Sequence, residues 1–287
     1  MRVLIATDGS APAATAMSAA CRILSTQDRS IDLLCVVPET RAHAEKLCRR
    51  ASRILDRARH ALAEQGVSAQ PVLKHGSPIK TLLRESLQYD VTVVGAKSQK
   101  DESPAALGPV ANRIIEHSSA SVLVGRESRT DPGLRILAPL DGSDASLDAI
   151  EKLASLVDLS TADVTLMHVV ETPWLSSPDQ ELLEEEAGAT DPQTQLTQEF
   201  ERELEREAES LLEEARNRLP PRTAVNRVIE RGLPADTILA EADSGDYDLV
   251  LVAASGSNDM KHQLLGSVSM KIAWNAPCSV LLVRSAM

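Results

Sequence analysis

Aromatic side chains are scarce in this chain of 287 residues, which holds two Trp, two Tyr and one Phe. Proteins that bind single-stranded nucleic acid stack bases on aromatic rings, and proteins that bind duplexes present a basic surface. The net charge of −12 supplies no basic excess either. The composition therefore argues against a nucleic-acid partner, and it predicts a core built from Val, Leu, Ile and Ala.

Long apolar runs are also missing. No run approaches the roughly 18 apolar residues of a membrane span. The apolar run after Arg2 meets Asp8, so it is too short for the apolar region of a signal peptide. We therefore expect no membrane partner and a cytoplasmic protein.

Metal-binding and catalytic motifs are absent from the sequence. The cysteines show no C-x-x-C spacing, the histidines show neither H-x-x-x-H nor H-E-x-x-H, and there is no G-x-S-x-G elbow. Cys35 and Cys278 lie in or beside apolar runs, where a reduced cysteine behaves as a small hydrophobic residue, so we expect both in the core. The sequence predicts no metal site and no catalytic residue, and Asp8 or Asp141 alone would support slow hydrolysis at most.

What the chain does contain is a repeat of its own first half. The motif Asp8-Gly9-Ser10 returns 133 residues later as Asp141-Gly142-Ser143, and Tyr89-Asp90 returns 158 residues later as Tyr247-Asp248. The sequence offset between matching residues changes once along the chain and is constant on either side of that change. This indicates two copies of one domain, the second with an insertion. We predict domains over residues 1–129 and 133–287, joined by a linker at 130–133 that contains Pro and Gly.

The insertion, at about 176–218, is strongly acidic. Residues 179–218 hold 14 Asp or Glu against 4 Arg, which accounts for −10 of the net charge. Apolar residues spaced by three and four predict a helix over 196–219; they are Leu196, Phe200, Leu204, Ala208, Leu211, Ala215 and Leu219. Its glutamates indicate either a solvated face, which we favour, or a partner surface; they are Glu201, Glu203, Glu205 and Glu207. Residues 176–194 lack a period and predict a loop.

Each copy alternates short apolar strands with amphipathic helices. The predicted strands are 2–6, 31–37, one near 72, 91–94 and 121–124 in the first copy, and 135–138, 164–170, 225–230, 249–253 and 279–283 in the second. Such alternation requires right-handed crossovers and a parallel sheet covered on both faces. The predicted fold class is α/β, with two tandem doubly wound domains, each a five-stranded parallel sheet with helices on both faces.

A binding site is expected at the carboxyl ends of these strands, where helix N-termini point N–H groups at an anion. There the second copy has Ala253, then Gly256, nine residues, and Gly266-Ser267-Val268 at a helix start. Small residues let a backbone approach phosphates closely, and a Ser adds a hydroxyl donor. The pattern predicts a phosphate-binding loop, although both the lysine-bearing P-loop and G-x-G-x-x-G are absent.

Together these motifs resemble the universal stress protein family, in a tandem form. The family signature is G-x-x-G, nine residues, then Gly followed by Ser or Thr, and the resemblance extends to the Asp-Gly-Ser turns, to 166–170 and to 276–283. It implies the adenine nucleotide alpha hydrolase-like fold and a stress-response role with regulatory binding of ATP or a related adenine nucleotide, with or without Mg²⁺. It also implies an intramolecular pair joined at strands 122–124 and 280–283, and it leaves a further homodimer open.

The resemblance assigns candidate nucleotide-binding residues to both copies. In the second copy, Asp141 would contact the ribose or the metal, and the backbone of Val169 would contact the adenine. The loop residues would bind the phosphates; they are Ala253, Gly256, Gly266, Ser267 and Val268. The matching residues of the first copy are Asp8, Val36, Gly95, Gly108 and Val110.

Neither copy keeps the whole signature. Ala253 replaces the first glycine of the second copy, while in the first copy Ser98 replaces a glycine and Pro109 removes both an N–H and a hydroxyl. Lys97 and Lys100 are either charge replacements for lost contacts or ordinary surface lysines, which we favour. We therefore expect nucleotide in the second domain rather than the first. The alternatives are a nucleotide-independent scaffold that acts through protein contacts, and a weak ATPase.

Overall fold

The computed structural model describes residues 1–25, 29–39, 44–97, 107–127, 129, 131–171, 192–254 and 265–284. In the helix that begins at residue 192, it describes side chains from residue 199 onward. The first domain consists of β1 (Arg2–Ala6), α1 (Ala11–Ile23), β2 (Ser30–Val37), α2 (Ala44–Glu64), β3 (Gln70–His75), α3 (Pro78–Ser86), β4 (Val91–Gly95), α4 (Pro109–His117) and β5 (Ser121–Gly125). The second consists of β6 (Leu134–Leu140), α5 (Asp144–Leu156), β7 (Ala162–Val170), α6 (Pro192–Arg218), β8 (Ala224–Arg231), α7 (Pro234–Ser244), β9 (Leu249–Ala253), α8 (Ser267–Asn275) and β10 (Ser279–Val283).

The described strands form one continuous sheet in the order β3-β2-β1-β4-β5-β10-β9-β6-β7-β8. Pairing is parallel within each half, so the predicted α/β class with five parallel strands in each domain is confirmed. Where the sequence predicted strand bounds, the observed ends differ by two residues or fewer. The order places β1 and β4, and likewise β6 and β9, side by side at the point where the winding direction reverses, which is where open α/β sheets bind ligands.

The central strands are apolar because helices cover both of their faces. All five residues of β5 and all five of β10 are buried. Cys35 and Cys278 are also buried, as predicted, and burial raises the pKa of the Cys278 thiol to about 12. These two thiols therefore act as hydrophobic core groups rather than as nucleophiles.

The two domains meet where the last strands pair, as the resemblance implies. β5 and β10 run antiparallel, with Val124 opposite Val280 and Leu123 opposite Leu281. A second antiparallel bridge joins Leu24 to Val157, which are equivalent positions of the two copies. Because each element pairs with its own counterpart, the contact has the self-complementary form of a two-fold interface.

A buried carboxylate ties the linker to both domains. Asp248 is fully buried, and its oxygens accept hydrogen bonds from the backbone N–H of Arg129 (3.3 Å) and of Arg135 (3.0 Å). The Arg22 guanidinium, from the other domain, lies 3.3 Å from Asp248 and also donates to the Gly133 carbonyl at 2.9 Å. The equivalent residue of the first copy, Asp90, accepts from one backbone N–H at an exposed site.

The acidic insertion contributes α6, which begins at residue 192 and ends at 218 rather than running from 196 to 219. Residues 192–194, predicted as loop, belong to the helix, and 176–191 lie outside the described residues. Within the predicted apolar stripe, Ala208 and Ala215 are buried, whereas Phe200 is 41% exposed. Leu212, which the stripe did not include, is buried as well. Among the helix residues whose side chains the structure describes, the buried ones therefore lie in the C-terminal half.

Two glutamates of α6 pair with an arginine of the neighbouring strand. Arg231, on the edge strand β8, lies 3.3 Å from Glu201 and 2.9 Å from Glu205. The Glu205 side chain is still 53% exposed and that of Arg231 42%, so these are surface ion pairs, and the solvated acidic face stays a prediction. Within the described residues, none of the helices combines the length and the apolar character needed to cross a membrane.

We expect Asp248→Ala to lower the free energy of unfolding by about 3–5 kcal/mol, because it leaves buried N–H groups and the Arg22 charge without their acceptor. The matched Asp90→Ala should cost about 0.5–1.5 kcal/mol, since its hydrogen bond from the Arg2 N–H is exposed. Urea unfolding of both variants measures the difference. Equal losses for the two variants would show that Asp248 does not hold the domains together.

Candidate functional site

A cavity of about 380 Å³ opens in the second domain, where β6, β7 and β9 end. It is lined by six of the seven predicted residues of this domain, which are Asp141, Val169, Ala253, Gly266, Ser267 and Val268. Gly256, the seventh, lies outside the described residues. The structure thus brings together residues that are more than a hundred positions apart in the sequence.

The turn after β6 holds Asp141 at the cavity wall. Its Oδ1 accepts hydrogen bonds from the Ser143 N–H at 3.0 Å and from the Ser143 hydroxyl at 2.6 Å. Gly142 has a φ of +80°, a left-handed conformation that this tight turn requires. Ser143 in turn caps α5, because its hydroxyl accepts from the Ser146 N–H at 3.2 Å.

The N-terminus of α8 forms another wall. Its cap residue, Gly266, donates its N–H to the Ala254 carbonyl at 2.8 Å, which holds the start of the helix against the end of β9. The N–H groups of Ser267, Val268 and Ser269 form the first turn, where an α-helix has no internal acceptors to offer. Such a turn favours an anion, because both the N–H groups and the helix dipole are positive there.

Ser269 is a lining residue that the sequence reasoning missed. Its hydroxyl donates to the Ala253 carbonyl at 2.7 Å, so it ties the first turn of α8 to the end of β9. The first copy has Ala111 at the equivalent position, which was the available signal in the sequence. A comparison of the two copies beyond the family signature would have found this difference.

His168 also lines the cavity and is held in one orientation. Its Nδ1 lies 2.8 Å from the Leu140 carbonyl oxygen, which can only accept. In the neutral ring, Nδ1 therefore carries the proton and Nε2 is an acceptor. No sequence motif indicates a role for this histidine, because its orientation depends on a contact between neighbouring strands.

The first domain has a smaller cavity of about 190 Å³ at the equivalent place. All five residues predicted for this domain line it: Asp8, Val36, Gly95, Gly108 and Val110. Lys97 lines it too, whereas Lys100 and Ser98 lie outside the described residues. Burial, followed by the nearby charge of Asp8, raises the pKa of the Cys35 thiol.

The helix at the first cavity offers fewer donors. α4 begins at Pro109, which has neither an N–H nor a hydroxyl where the second copy has Ser267. Proline is comfortable at a first helical position, so the fold tolerates this change without loss. The consequence falls on anion binding, because one of the three first-turn N–H groups is missing.

The glycine that differs between the two copies has a packing role. A Cβ at Gly95 would lie 2.8 Å from the carbonyl carbon and oxygen of Pro12, so α1 can approach β4 closely only if this residue is glycine. Ala253 lies in a strand, and among the described non-glycine residues only Asp246 has a positive φ. A methyl group at position 253 is therefore free of backbone strain.

Comparison with known proteins identifies the family of the chain. The model of the universal stress protein family matches residues 1–126 and again 134–284. The chain therefore belongs to the universal stress protein family, as a tandem member with two such domains.

Individual relatives match the chain over lengths that agree with two tandem domains. A universal stress protein of Mycolicibacterium smegmatis is 25% identical over 98% of this chain and 96% of its own length. A universal stress protein of Methanothermobacter thermautotrophicus is 32% identical over 53% of this chain and 95% of its own length. The match therefore spans about one of the two copies. The crystal structure of a universal stress protein from Archaeoglobus fulgidus has the same fold, with a TM-score of 0.67 and 17% identity over 99% of this chain and 98% of that one.

We expect Gly95→Ala to destabilise the protein by about 1–3 kcal/mol, because the new methyl group would overlap the Pro12 backbone. The reverse change in the second copy, Ala253→Gly, should cost about 0.5–1 kcal/mol through backbone entropy alone. Urea midpoints of both variants provide the measurement. An unchanged midpoint for Gly95→Ala would mean that close packing against α1 is not what requires glycine there.

Proposed function

We propose that this protein is a cytoplasmic stress-response module that binds ATP or a related adenine nucleotide in its second domain and uses occupancy of that site as a regulatory signal. The observation that carries the proposal is the first turn of α8, whose N–H groups border a cavity of about 380 Å³ lined by Gly266, Ser267 and Val268. A cavity of this size falls within the range of small-molecule sites, whereas the first cavity, at about 190 Å³, falls below it.

The chemistry of the walls matches the parts of a nucleotide. Phosphates suit the α8 turn, because helix N-termini and small residues bind them through the backbone. Val169 and Ile238 supply apolar surface for a base between β7 and α7. In this proposal Asp141, after β6, would accept a hydrogen bond from a ribose hydroxyl or, through water, would hold the Mg²⁺ that accompanies a triphosphate.

The proposed role is binding rather than catalysis. Among the described residues, no group of three or more His, Cys, Asp or Glu side chains is arranged to hold a metal ion. In this proposal Asp141 binds the ribose or the Mg²⁺, so it is not available as the general base that would accept a proton from an attacking water. The protein is proposed not to be an enzyme, and slow ATP hydrolysis is the most that this site would support.

ATP with Mg²⁺ should stabilise the protein against unfolding, by about 2.7 kcal/mol when its concentration is 100 times the Kd. Thermal unfolding with and without ATP measures the shift. The expected result is a Tm that keeps rising with ATP concentration and that does not rise with inorganic phosphate at the same ionic strength. No shift at millimolar ATP would contradict the proposal and favour a scaffold that works without nucleotide.

The difference between the two copies allows a matched pair of variants. Ser267→Pro gives the second site the proline of the first, and it should abolish the ATP-dependent shift while leaving the Tm without ATP within a few degrees, because proline is tolerated at this helical position. The reciprocal Pro109→Ser restores an N–H and a hydroxyl to the first site and should leave the shift intact or increase it. If Ser267→Pro retains the full shift, the α8 turn does not bind the phosphates.

A further inference from the structure

Two arginines cross the boundary between the domains at equivalent positions. Arg126 follows β5 and Arg284 follows β10, and the two are 158 residues apart, the same offset that relates the two copies in this region. Each side chain contacts the opposite domain rather than its own. The nucleotide proposal makes no use of either residue.

Arg126 binds the C-terminal end of α8. Its Nη2 donates to the carbonyl oxygens of Ala273 at 2.6 Å and Trp274 at 3.4 Å, and its Nη1 donates to that of Cys278 at 3.3 Å. Its backbone N–H donates to the Ser279 hydroxyl at 3.1 Å. These carbonyls belong to the last turn of the helix and the segment after it, where an α-helix has no internal donors left.

Arg284 makes the corresponding contacts with α4. Its Nη2 donates to the carbonyl oxygens of Ile115 at 2.8 Å and Glu116 at 3.2 Å, and its backbone N–H donates to the Ser121 hydroxyl at 3.4 Å. Ile115 and Ala273 are equivalent residues, as are Glu116 and Trp274. The crossed arrangement is therefore a property of both copies.

The guanidinium charge suits this position. A cation near a helix C-terminus is stabilised by the helix dipole, and charged donors form stronger hydrogen bonds than neutral ones. Burial lowers the pKa of Arg126 to about 10 and also lowers the pKa of Arg284. A guanidinium keeps its charge in proteins, so both side chains act as charged donors.

The helices held in this way are the two that border the cavities with their other ends. α8 runs from the second cavity to Arg126, and α4 runs from the first cavity to Arg284. At the cavity end, each helix is tied to its own domain, through Gly266 to Ala254 and through Gly108 to Ala96, both at 2.8 Å. At the far end, it is tied to the other domain. The position of the anion-binding turn therefore depends on contacts with both domains.

We propose that Arg126 and Arg284 are positioning residues that act in trans: each holds the anion-binding helix of the opposite domain, so that each site depends on the domain that does not contain it. The nucleotide part of this inference rests on the proposed function, whereas the positioning part does not.

The test compares Arg126→Met with Arg284→Met in the full chain, because methionine keeps an apolar stem and removes the donors. Amide hydrogen exchange measured by mass spectrometry reports separately on residues 270–275 and 112–117. Arg126→Met should speed exchange at 270–275 and leave 112–117 near wild type, and Arg284→Met should do the reverse. The same peptides, followed against ATP concentration, give the Kd at each site.

The expected nucleotide result is also crossed. Arg126→Met should raise the Kd of ATP at the second site about tenfold, which is the loss expected when a charged hydrogen-bond donor is removed. Arg284→Met should leave the Kd of the second site within about twofold of the wild-type value. Arg126→Lys keeps the charge and replaces the guanidinium by an ammonium donor, so it should recover part of the loss. It serves as the test variant if Arg126→Met does not fold.

The possible outcomes separate the two proposals. Crossed exchange and a crossed change in Kd support the inference. Exchange that rises equally at both helices in both variants overturns it, as does a wild-type Kd in every variant. Crossed exchange in a protein that binds no ATP supports the positioning role and overturns the proposed function instead.

Discussion

The antiparallel pairing of β5 with β10 is the contact on which the rest of this molecule depends. It joins two parallel sheets into one, and it removes what would otherwise be an apolar edge on each domain. Leu123 and Leu281 face each other at its centre with no exposed surface. Because the pairing is self-complementary, it also brings each domain's last residues to the other domain's site helix, which is how Arg126 and Arg284 come to contact α8 and α4.

Within this shared frame the two copies have diverged in ways that concern packing as much as binding. Gly95 and Gly125 let α1 lie against the first half of the sheet, since a Cβ at Gly125 would lie 2.3 Å from the Ala16 Cα. Their equivalents, Ala253 and Val283, carry side chains between α5 and the second half. The second copy keeps Ser267 and Ser269 on its site helix, where the first has Pro109 and Ala111. The copies thus retain one architecture while differing in the donors that they offer to an anion.

Much of the fold follows from local pattern. Short apolar runs such as β9 are buried on both faces and are bounded by turn residues, so their positions could be predicted within two residues. The candidate site could be placed because Asp141 and Gly266 both follow strands that end at the same edge. Two features could not be obtained this way. The salt bridges of Glu201 and Glu205 depend on Arg231 in a later strand, and the contacts of Arg126 depend on how the domains pair, so neither has a signature in the sequence near it.

The central claim is that one of two structurally related cavities in this universal stress protein binds an adenine nucleotide and that the other, which lacks an N–H at Pro109, does not bind it comparably. Native mass spectrometry of the chain titrated with ATP and Mg²⁺ counts the bound nucleotides directly. The account predicts one nucleotide per chain, with a second only at much higher concentration. Two nucleotides bound with equal affinity, or none at all, would contradict it.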